Sequence, residues 1–561
     1  MTSNRSRGAF RLQRHGAATG GHCARLHRPA LSVCSVREGG VYRTCAVLVG
    51  GLESDLKPRA AMESNNNGPH PFVYELHLSR GQKIQGLLLG VVLFPLRVAL
   101  AALLFLVMWP VAKLRLAGLS PEERAQPVRG WRRWLLHPIV LLLSRAIFFS
   151  LGFVWVKVKG HQAGRKEAPL LAVAPHSSFL DMLILCVTGL PTVVSRSENT
   201  SLPVIGALLE FNQSLLVSRK DPESRRRCAA QLSERLQSND RWPQVLLFPE
   251  GTTTNGQALI KFKHGGFAPG VPVQPVLLHY PNKLDTVRWT WKGTSWVEAL
   301  WYTTSQLYTN ITVEFLPVYT PSADEKTNPT LYADNVQKLM ARRLGVPATD
   351  YVMEGKLPVW KLGCLSLPVE PPARDALTLL QSAGASDVDI LLRRMIDRCH
   401  PGQEASIGAE ELSSMLQLKD TKTAVDICRL YSKDEQVDLR QLVLSVAAVS
   451  GVWNLDSLIH TSFNLFDRGN KGSLTEKEMS DLLTALVGFS QRNISALYSE
   501  VANGQQPTQE DLETLLTEHP SYQRLTADYL NTCRTKRLSA NAKMGSHTSD
   551  NGAAVQHKKD N

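Results

Sequence analysis

The chain has 561 residues, with 63 Lys and Arg against 50 Asp and Glu for a formal charge of +13, and 43% of it is hydrophobic. That length fits two or three folded units, and so ordinary an apolar share excludes a protein built mainly of membrane spans. The basic surplus suits an anionic membrane face or a polyanionic cofactor rather than nucleic acid. Nine cysteines stand singly, with no Cys-x-x-Cys pair and no His/Cys cluster. This pattern argues against a disulfide scaffold and a zinc site, and for reduced thiols facing the cytosol; no metal ligand set is expected.

Residues 1–70 are rich in Arg, Ser and Gly and poor in acids, which predicts a disordered basic extension. Residues 71–155 form a membrane-associated segment. From Gly86 to Ala112 the chain is apolar except for Arg97, interrupted by Pro95 and Pro110, so it either crosses a bilayer as a kinked helix or returns as a hairpin. Basic residues are denser after it (Lys113, Arg115, Arg124, Arg129, Arg132) than before it (Arg80, Lys83), which places the downstream side in the cytosol. A second apolar stretch, Ile139 to Val156, holds Arg145 near its middle. That charge makes a crossing costly and favours a helix lying in the interface.

Residues 156–366 read as a catalytic domain. Short strands are predicted at Val154–Val158, Leu170–Ala174, Thr192–Val194, Leu215–Val217, Val245–Phe248, Val273–Leu278 and Ile311–Phe315, with helices or loops between most of them. The alternation implies an α/β layered domain with a central sheet, whose site gathers at strand ends. Residues 367–530 change to short helices and turns. Asp467 to Glu478 has the frame of a calcium-binding helix–loop–helix: Asp467 first, Gly472 sixth and Glu478 twelfth. The third and fifth ligand positions are Gly469 and Lys471, so calcium is not expected. With weaker copies near His400–Glu411 and Tyr431–Asp438, this is an all-α, EF-hand-like module for packing or partner contact. Residues 531–561 form a polar tail in which Lys558 and Lys559 match a dilysine retrieval signal, read by the coat-protein machinery that returns membrane proteins to the endoplasmic reticulum.

Two strand ends carry the chemistry. Leu170 to Ala174 runs into Pro175 and His176, with Asp181 five residues beyond. If Ser177 or Ser178 caps a helix starting near Phe179, Asp181 falls in its first turn and reaches one ring nitrogen of His176. A histidine held in one tautomer by a carboxylate is a general base. Val245 to Phe248 ends in Pro249-Glu250-Gly251-Thr252, which offers a carboxylate, a flexible glycine, and a hydroxyl with backbone N–H groups suited to an anion.

Taken together, the His-x4-Asp box and the Phe248-Pro249-Glu250-Gly251-Thr252 box resemble the glycerolipid acyltransferase family, and two further blocks agree: Leu216-Val217-Ser218-Arg219 and Val271 to Val276, which contains Pro275. Pro71 to Ser79, Phe262 to Phe267 and Tyr280 to Thr286 are similar to the lysophospholipid acyltransferase subgroup that appends EF-hand-like segments. The resemblance implies transfer of an acyl chain from acyl-CoA to the free hydroxyl of lysophosphatidylethanolamine or lysophosphatidylcholine at the endoplasmic reticulum membrane, with no permanently bound cofactor. The alternatives are lysophosphatidic acid or a lyso-ether lipid as acceptor, or an inactive membrane scaffold. It implies His176 and Asp181 as catalytic, and Glu250, Gly251, Thr252 and Pro275 on the substrate side. Arg219 is the expected phosphate grip and Lys263 a contact for coenzyme A phosphates. Many members of the wider family carry arginine just after the second box, where this chain has Thr253-Thr254-Asn255. The difference favours a head group larger than a bare phosphate.

Overall fold

The structure is a computed structural model and describes residues 70–525, apart from positions 219–220, 239–240, 356, 384–386, 400–404, 419, 433–434, 492–493, 503, 520–521 and 523–524. The basic extension, Arg219, His400 and the Lys558-Lys559 pair therefore lie outside the described residues.

All seven strands expected of the catalytic domain are present, within two residues at each end. In chain order they are β2 (Val156–Lys159), β3 (Leu170–Ala174), β4 (Thr192–Arg196), β5 (Leu215–Val217), β6 (Val245–Leu247), β7 (Val273–His279) and β9 (Ile311–Phe315); β1 (Val73–Tyr74) and β8 (Lys292–Gly293) pair separately. The sheet runs in the order β2-β9-β7-β3-β6-β4-β5. From β7 to β5 every pair is parallel, whereas β9 lies antiparallel to β7. The central strands are apolar on both faces because both are covered. Successive side chains alternate between two cores: Leu171, Val173, Leu246 and Leu278 on one side, and Leu170, Ala172, Ala174, Val245 and Leu277 on the other. The second side is closed by the helices Pro222–Leu236 and Pro329–Leu344, through Leu232, Leu236, Tyr332, Val336 and Met340.

The first side is closed by the two apolar helices themselves. Ala101, Met108 and Ala112 of the Arg80–Leu114 helix and Leu136, Val140 and Ile147 of the Trp131–Ser150 helix share one core with Leu171 and Val173. The expected boundary near Val156 thus does not separate two cores. The first helix is continuous through Pro95 and Pro110 for 35 residues, about 52 Å at ~1.5 Å per residue; the hairpin is made with the second helix, not within the first. Gly90 lets it approach Trp301, since a Cβ there would lie 2.6 Å from both the indole and Ser305 Oγ. Phe94 packs on the same indole at 4.8 Å. Arg97 donates to the carbonyls of Thr304, Gln306 and Leu307 at 2.6–2.8 Å, capping the end of the Trp296–Thr304 helix. Arg145 likewise donates to the Phe153 and Val154 carbonyls at 3.0 and 2.9 Å. Both arginines inside the apolar stretches are thus satisfied by protein, not lipid. The outer face, with Leu88, Val92, Leu106, Trp134 and Leu142, remains exposed and apolar.

A three-stranded meander over 351–368 leads into the C-terminal helices, and its Leu365 and Leu367 belong to their core. Among the described residues these helices form four helix–loop–helix units in two pairs. In the first pair the loops join by antiparallel strands, Ser406–Gly408 with Gln436–Asp438. In the second, the Leu474 N–H donates to the Pro507 carbonyl at 2.9 Å. The unit centred on Gln506 carries no ligand frame and was not legible in sequence. In the Asp467 loop, the carboxylate accepts the N–H groups of Lys471 and Gly472 at 3.0 and 2.8 Å, and the Lys471 ammonium lies 3.9 Å from Glu478.

Candidate active site

The turn after β3 builds the first half of the site. Beyond the cis Ala174–Pro175 peptide, His176 stands at the strand's C-terminal end, and a 3-10 helix follows at Phe179–Leu183. Ser178 caps it, its Oγ accepting the Leu180 N–H at 3.2 Å. Asp181 therefore sits in the first turn, fully buried, as the spacing required. Its Oδ2 accepts His176 Nδ1–H at 2.8 Å and the backbone N–H groups of Ser177 and Ser178 at 2.6 and 2.9 Å. Donation from Nδ1 fixes the tautomer and leaves Nε2 with the lone pair.

The other Asp181 oxygen, Oδ1, accepts the hydroxyl of Tyr280. Tyr280 immediately follows β7, the neighbour of β3, with Ala174 opposite Leu277. Burial first, and the Asp181 charge second, push its phenol well above the ordinary range, so it stays a donor. Tyr280 falls within a block that carries the family resemblance, yet its role is visible only once β7 is known to lie beside β3.

The strand on the other side, β6, supplies the second half. The Phe248 ring stacks on the His176 imidazole at 4.2 Å between centroids. Phe248 to Gly251 is a tight turn closed by the Gly251 N–H on the Phe248 carbonyl at 3.0 Å, with Gly251 at φ +66°. Glu250 points inward and is fully buried; its Oε2 accepts the Thr254 hydroxyl at 3.1 Å, and the Thr254 N–H donates to the His176 carbonyl at 2.7 Å. Burial, with the Asp181 charge adding to it, holds the Glu250 carboxyl well above its ordinary range. Lys263 is brought to the same turn: its N–H donates to the Pro249 carbonyl at 2.8 Å, and its stem runs 3.5 Å from where a Gly251 Cβ would stand. Thr252 follows, half-buried. Pro275 is not part of this group; it is buried within β7 opposite Ala172, where its carbonyl accepts the Leu316 N–H at 3.0 Å.

A strap from the N-terminal side completes the surroundings. Asn255 donates its backbone N–H to the Pro71 carbonyl at 2.8 Å, and its side-chain amide to the His70 and Val73 carbonyls at 2.8 and 3.1 Å. His70 and residues 73–77 then wall a cleft of about 610 Å³ with Asn255, Lys283 and Asp285. The cleft presents both signs of charge, Glu75 and Asp285 against Lys283, and Tyr74 also lines it. Gly256, at φ +67°, passes so near that a Cβ would meet Arg288 Nη1 at 2.5 Å and Ser177 Oγ at 3.3 Å.

A fixed-tautomer histidine at one strand end, beside a glycine turn at the next, is an arrangement for taking a proton from an attacking hydroxyl. The Acyltransferase family model matches residues 155–279, from the start of β2 to the end of β7. The human lysophospholipid acyltransferase LPCAT4 is 43% identical over 497 residues, 87% of this chain and 94% of its own. The Xenopus tropicalis LPCAT4 is 42% identical over 82% and 90%, and human lysophosphatidylcholine acyltransferase 2 is 38% identical over 87% and 90%. The solved 1-acyl-sn-glycerophosphate acyltransferase PlsC of Thermotoga maritima is similar over 47% of this chain and 98% of its own, at 18% identity and a TM-score of 0.32, too loose to carry any detail of this site. With 43% identity to human LPCAT4 and 38% to human lysophosphatidylcholine acyltransferase 2 over 87% of its length, the chain belongs to the lysophospholipid acyltransferases.

Proposed function

We propose that His176 removes the proton from the free glycerol hydroxyl of lysophosphatidylethanolamine or lysophosphatidylcholine as that oxygen attacks the thioester carbonyl of acyl-CoA. The new C–O ester bond forms, the C–S bond breaks, and the proton passes through His176 Nε2 to the departing thiolate. Asp181, held by Ser177, Ser178 and Tyr280, keeps the imidazole oriented and stabilises the imidazolium. No acyl-enzyme is needed, because the acceptor oxygen is itself the nucleophile. The observation that carries this reading is the single chain of contacts from Tyr280 through Asp181 to His176 Nδ1, which leaves Nε2 as the basic nitrogen.

Glu250, Gly251 and Thr252 form the wall on which the acceptor and the developing oxyanion rest, and Arg219 and Lys263 hold phosphates of the two substrates. Just after the box, where many other family members carry an arginine, this chain has Thr253-Thr254-Asn255, of which Thr254 and Asn255 are occupied with Glu250 and the strap. This, and the mixed charge of the cleft walled by the strap, supports a zwitterionic head group, with the ammonium toward Glu75. Two helices long and apolar enough to cross a membrane support a site apposed to the bilayer; the denser basic residues after the first of them support its cytosolic face, and Lys558 and Lys559 the endoplasmic reticulum as its address. The helix–loop–helix module serves packing or partner contact without calcium, since the Lys471 ammonium stands beside Glu478. Microsomes expressing the chain, given acyl-CoA and a panel of lysophospholipids, test the acceptor. Incorporation into the ethanolamine and choline lysolipids is expected; incorporation confined to lysophosphatidic acid would overturn it.

A further inference from the structure

A second cleft, of about 520 Å³, lies at the opposite end of the same strands, and Arg129, Arg133, Arg165 and Arg241 line it. Its walls come from the segments that enter β3, β4 and β6: Arg165, Thr188 to Pro191, and Arg241 to Gln244. These three strands are parallel. The cleft therefore opens at their N-terminal ends, whereas His176 and Glu250 follow their C-terminal ends. The five residues of β3 between the two ends span about 16 Å at ~3.3 Å per residue. An acceptor with its hydroxyl at His176 cannot also place its own phosphate here.

The cleft is cationic by construction. No acidic side chain is among the described residues that line it. Arg165 is anchored, donating to the Arg235 carbonyl at 2.6 Å and to Ser238 Oγ at 3.2 Å, and Arg241 is steadied by the Gln126 side-chain oxygen. Arg129 and Arg133 are exposed. They bracket the first turn of the Trp131–Ser150 helix, whose N-cap, Gly130, supplies no side-chain acceptor. Four guanidinium groups around one hollow suit an anion with several oxygens: the Arg129 and Arg133 forks can each meet two of them in their own plane, and the anchored Arg165 and Arg241 add fixed positive charge. The same turn carries Trp131 and Trp134, 53% and 76% exposed. Aromatic side chains of this kind settle at head-group depth, where lipid phosphates lie.

We infer that this arginine cleft is a second, non-catalytic site for a phosphate group, either the head-group phosphate of an anionic membrane lipid or that of a soluble phosphoanion. The site goes beyond the catalytic reading and does not depend on it.

The test uses the full chain in neutral detergent, as the parent, Arg129→Gln/Arg133→Gln, Arg129→Lys/Arg133→Lys, and His176→Ala. In flotation with phosphatidylcholine vesicles, with and without phosphatidic acid, a lipid ligand makes the parent bind the anionic vesicles more tightly. The Gln pair then loses that increment by roughly tenfold or more, the Lys pair keeps part of it, and His176→Ala keeps it all. A soluble ligand gives no dependence on vesicle charge; instead inorganic phosphate raises the unfolding temperature of the parent and of His176→Ala, and not of the Gln pair. Acyl transfer in neutral micelles stays at the parent level in the Gln pair, which separates failure here from failure of the catalytic reading. A folded Gln pair that matches the parent in both vesicle binding and phosphate response overturns the inference, and so does a parent that responds to neither ligand.

Discussion

Tyr280→Phe isolates the least legible part of the site. The substitution keeps the ring and removes the one hydroxyl that donates to Asp181 Oδ1, while the three donors to Oδ2 remain. A hydrogen bond to a charged acceptor is worth about 1.5–3 kcal/mol, and each ~1.4 kcal/mol is tenfold in rate. Asp181 is fully buried, so little solvent can replace the lost donor. The whole bond corresponds to about 10- to 100-fold, and only the part that grows as the imidazolium forms reaches the transition state, which gives a fall in kcat of about 3- to 30-fold. Tyr280 acts through Asp181 and is a positioning residue, so KM for acyl-CoA should stay near the parent value. The assay is thiol release from acyl-CoA in the presence of lysophosphatidylethanolamine, with thermal unfolding to confirm the fold. A folded variant within about twofold of the parent in kcat would refute the coupling through Asp181.

Glu250 offers a test by pH. Its carboxyl titrates well above the ordinary value of 4.5, so the folded state holds a proton that the unfolded chain releases above that pH. The contribution of the group is complete below 4.5 and is lost as pH rises toward the folded value, so Glu250→Gln should gain stability relative to the parent over that interval. A stability difference that stays flat with pH would contradict it. Gly256→Ala, with φ +67° and a Cβ pressed on Arg288, should lose about 1–3 kcal/mol on unfolding; an unchanged midpoint would mean that the strap packs differently. Arg97→Met removes three donors from the carbonyls ending the Trp296–Thr304 helix and should cost about 2–4 kcal/mol, read as a lower unfolding temperature in detergent. Calcium titration of the full chain should show no saturable binding at roughly micromolar levels; saturation there would show that Lys471 does not block the loop.

Local patterns were legible because local physics decides them. The apolar runs ending at Ala174 and Phe248 read as strands without their neighbours, and a serine cap before Phe179 and Asp181 was legible as Ser177 or Ser178, with the structure assigning it to Ser178. Tyr280 and Asn255 were not legible as site residues, because their partners lie 99 and 185 residues away and no short-range rule joins them. β1 and β8 have two residues each, too few for periodicity to register. The apolar run from Gly86 to Ala112 was legible as apolar but not as a layer of the catalytic domain. Hydropathy does not distinguish a face that meets lipid from one that meets Leu171 and Val173, and Gly90 reveals its purpose only against Trp301. Prolines 95 and 110 left a kinked helix and a hairpin both open, and the helix runs continuously through both.

The central claim is that His176 is the base for acyl transfer to a lysophospholipid. Its most direct test is the kcat for transfer from acyl-CoA to lysophosphatidylethanolamine by His176→Ala beside the parent, in matched reconstituted membranes. A positioned general base contributes about 10²- to 10⁴-fold. His176→Ala should lose at least that lower figure while still folded and membrane-bound, and turnover at the parent rate would show that His176 is not the base.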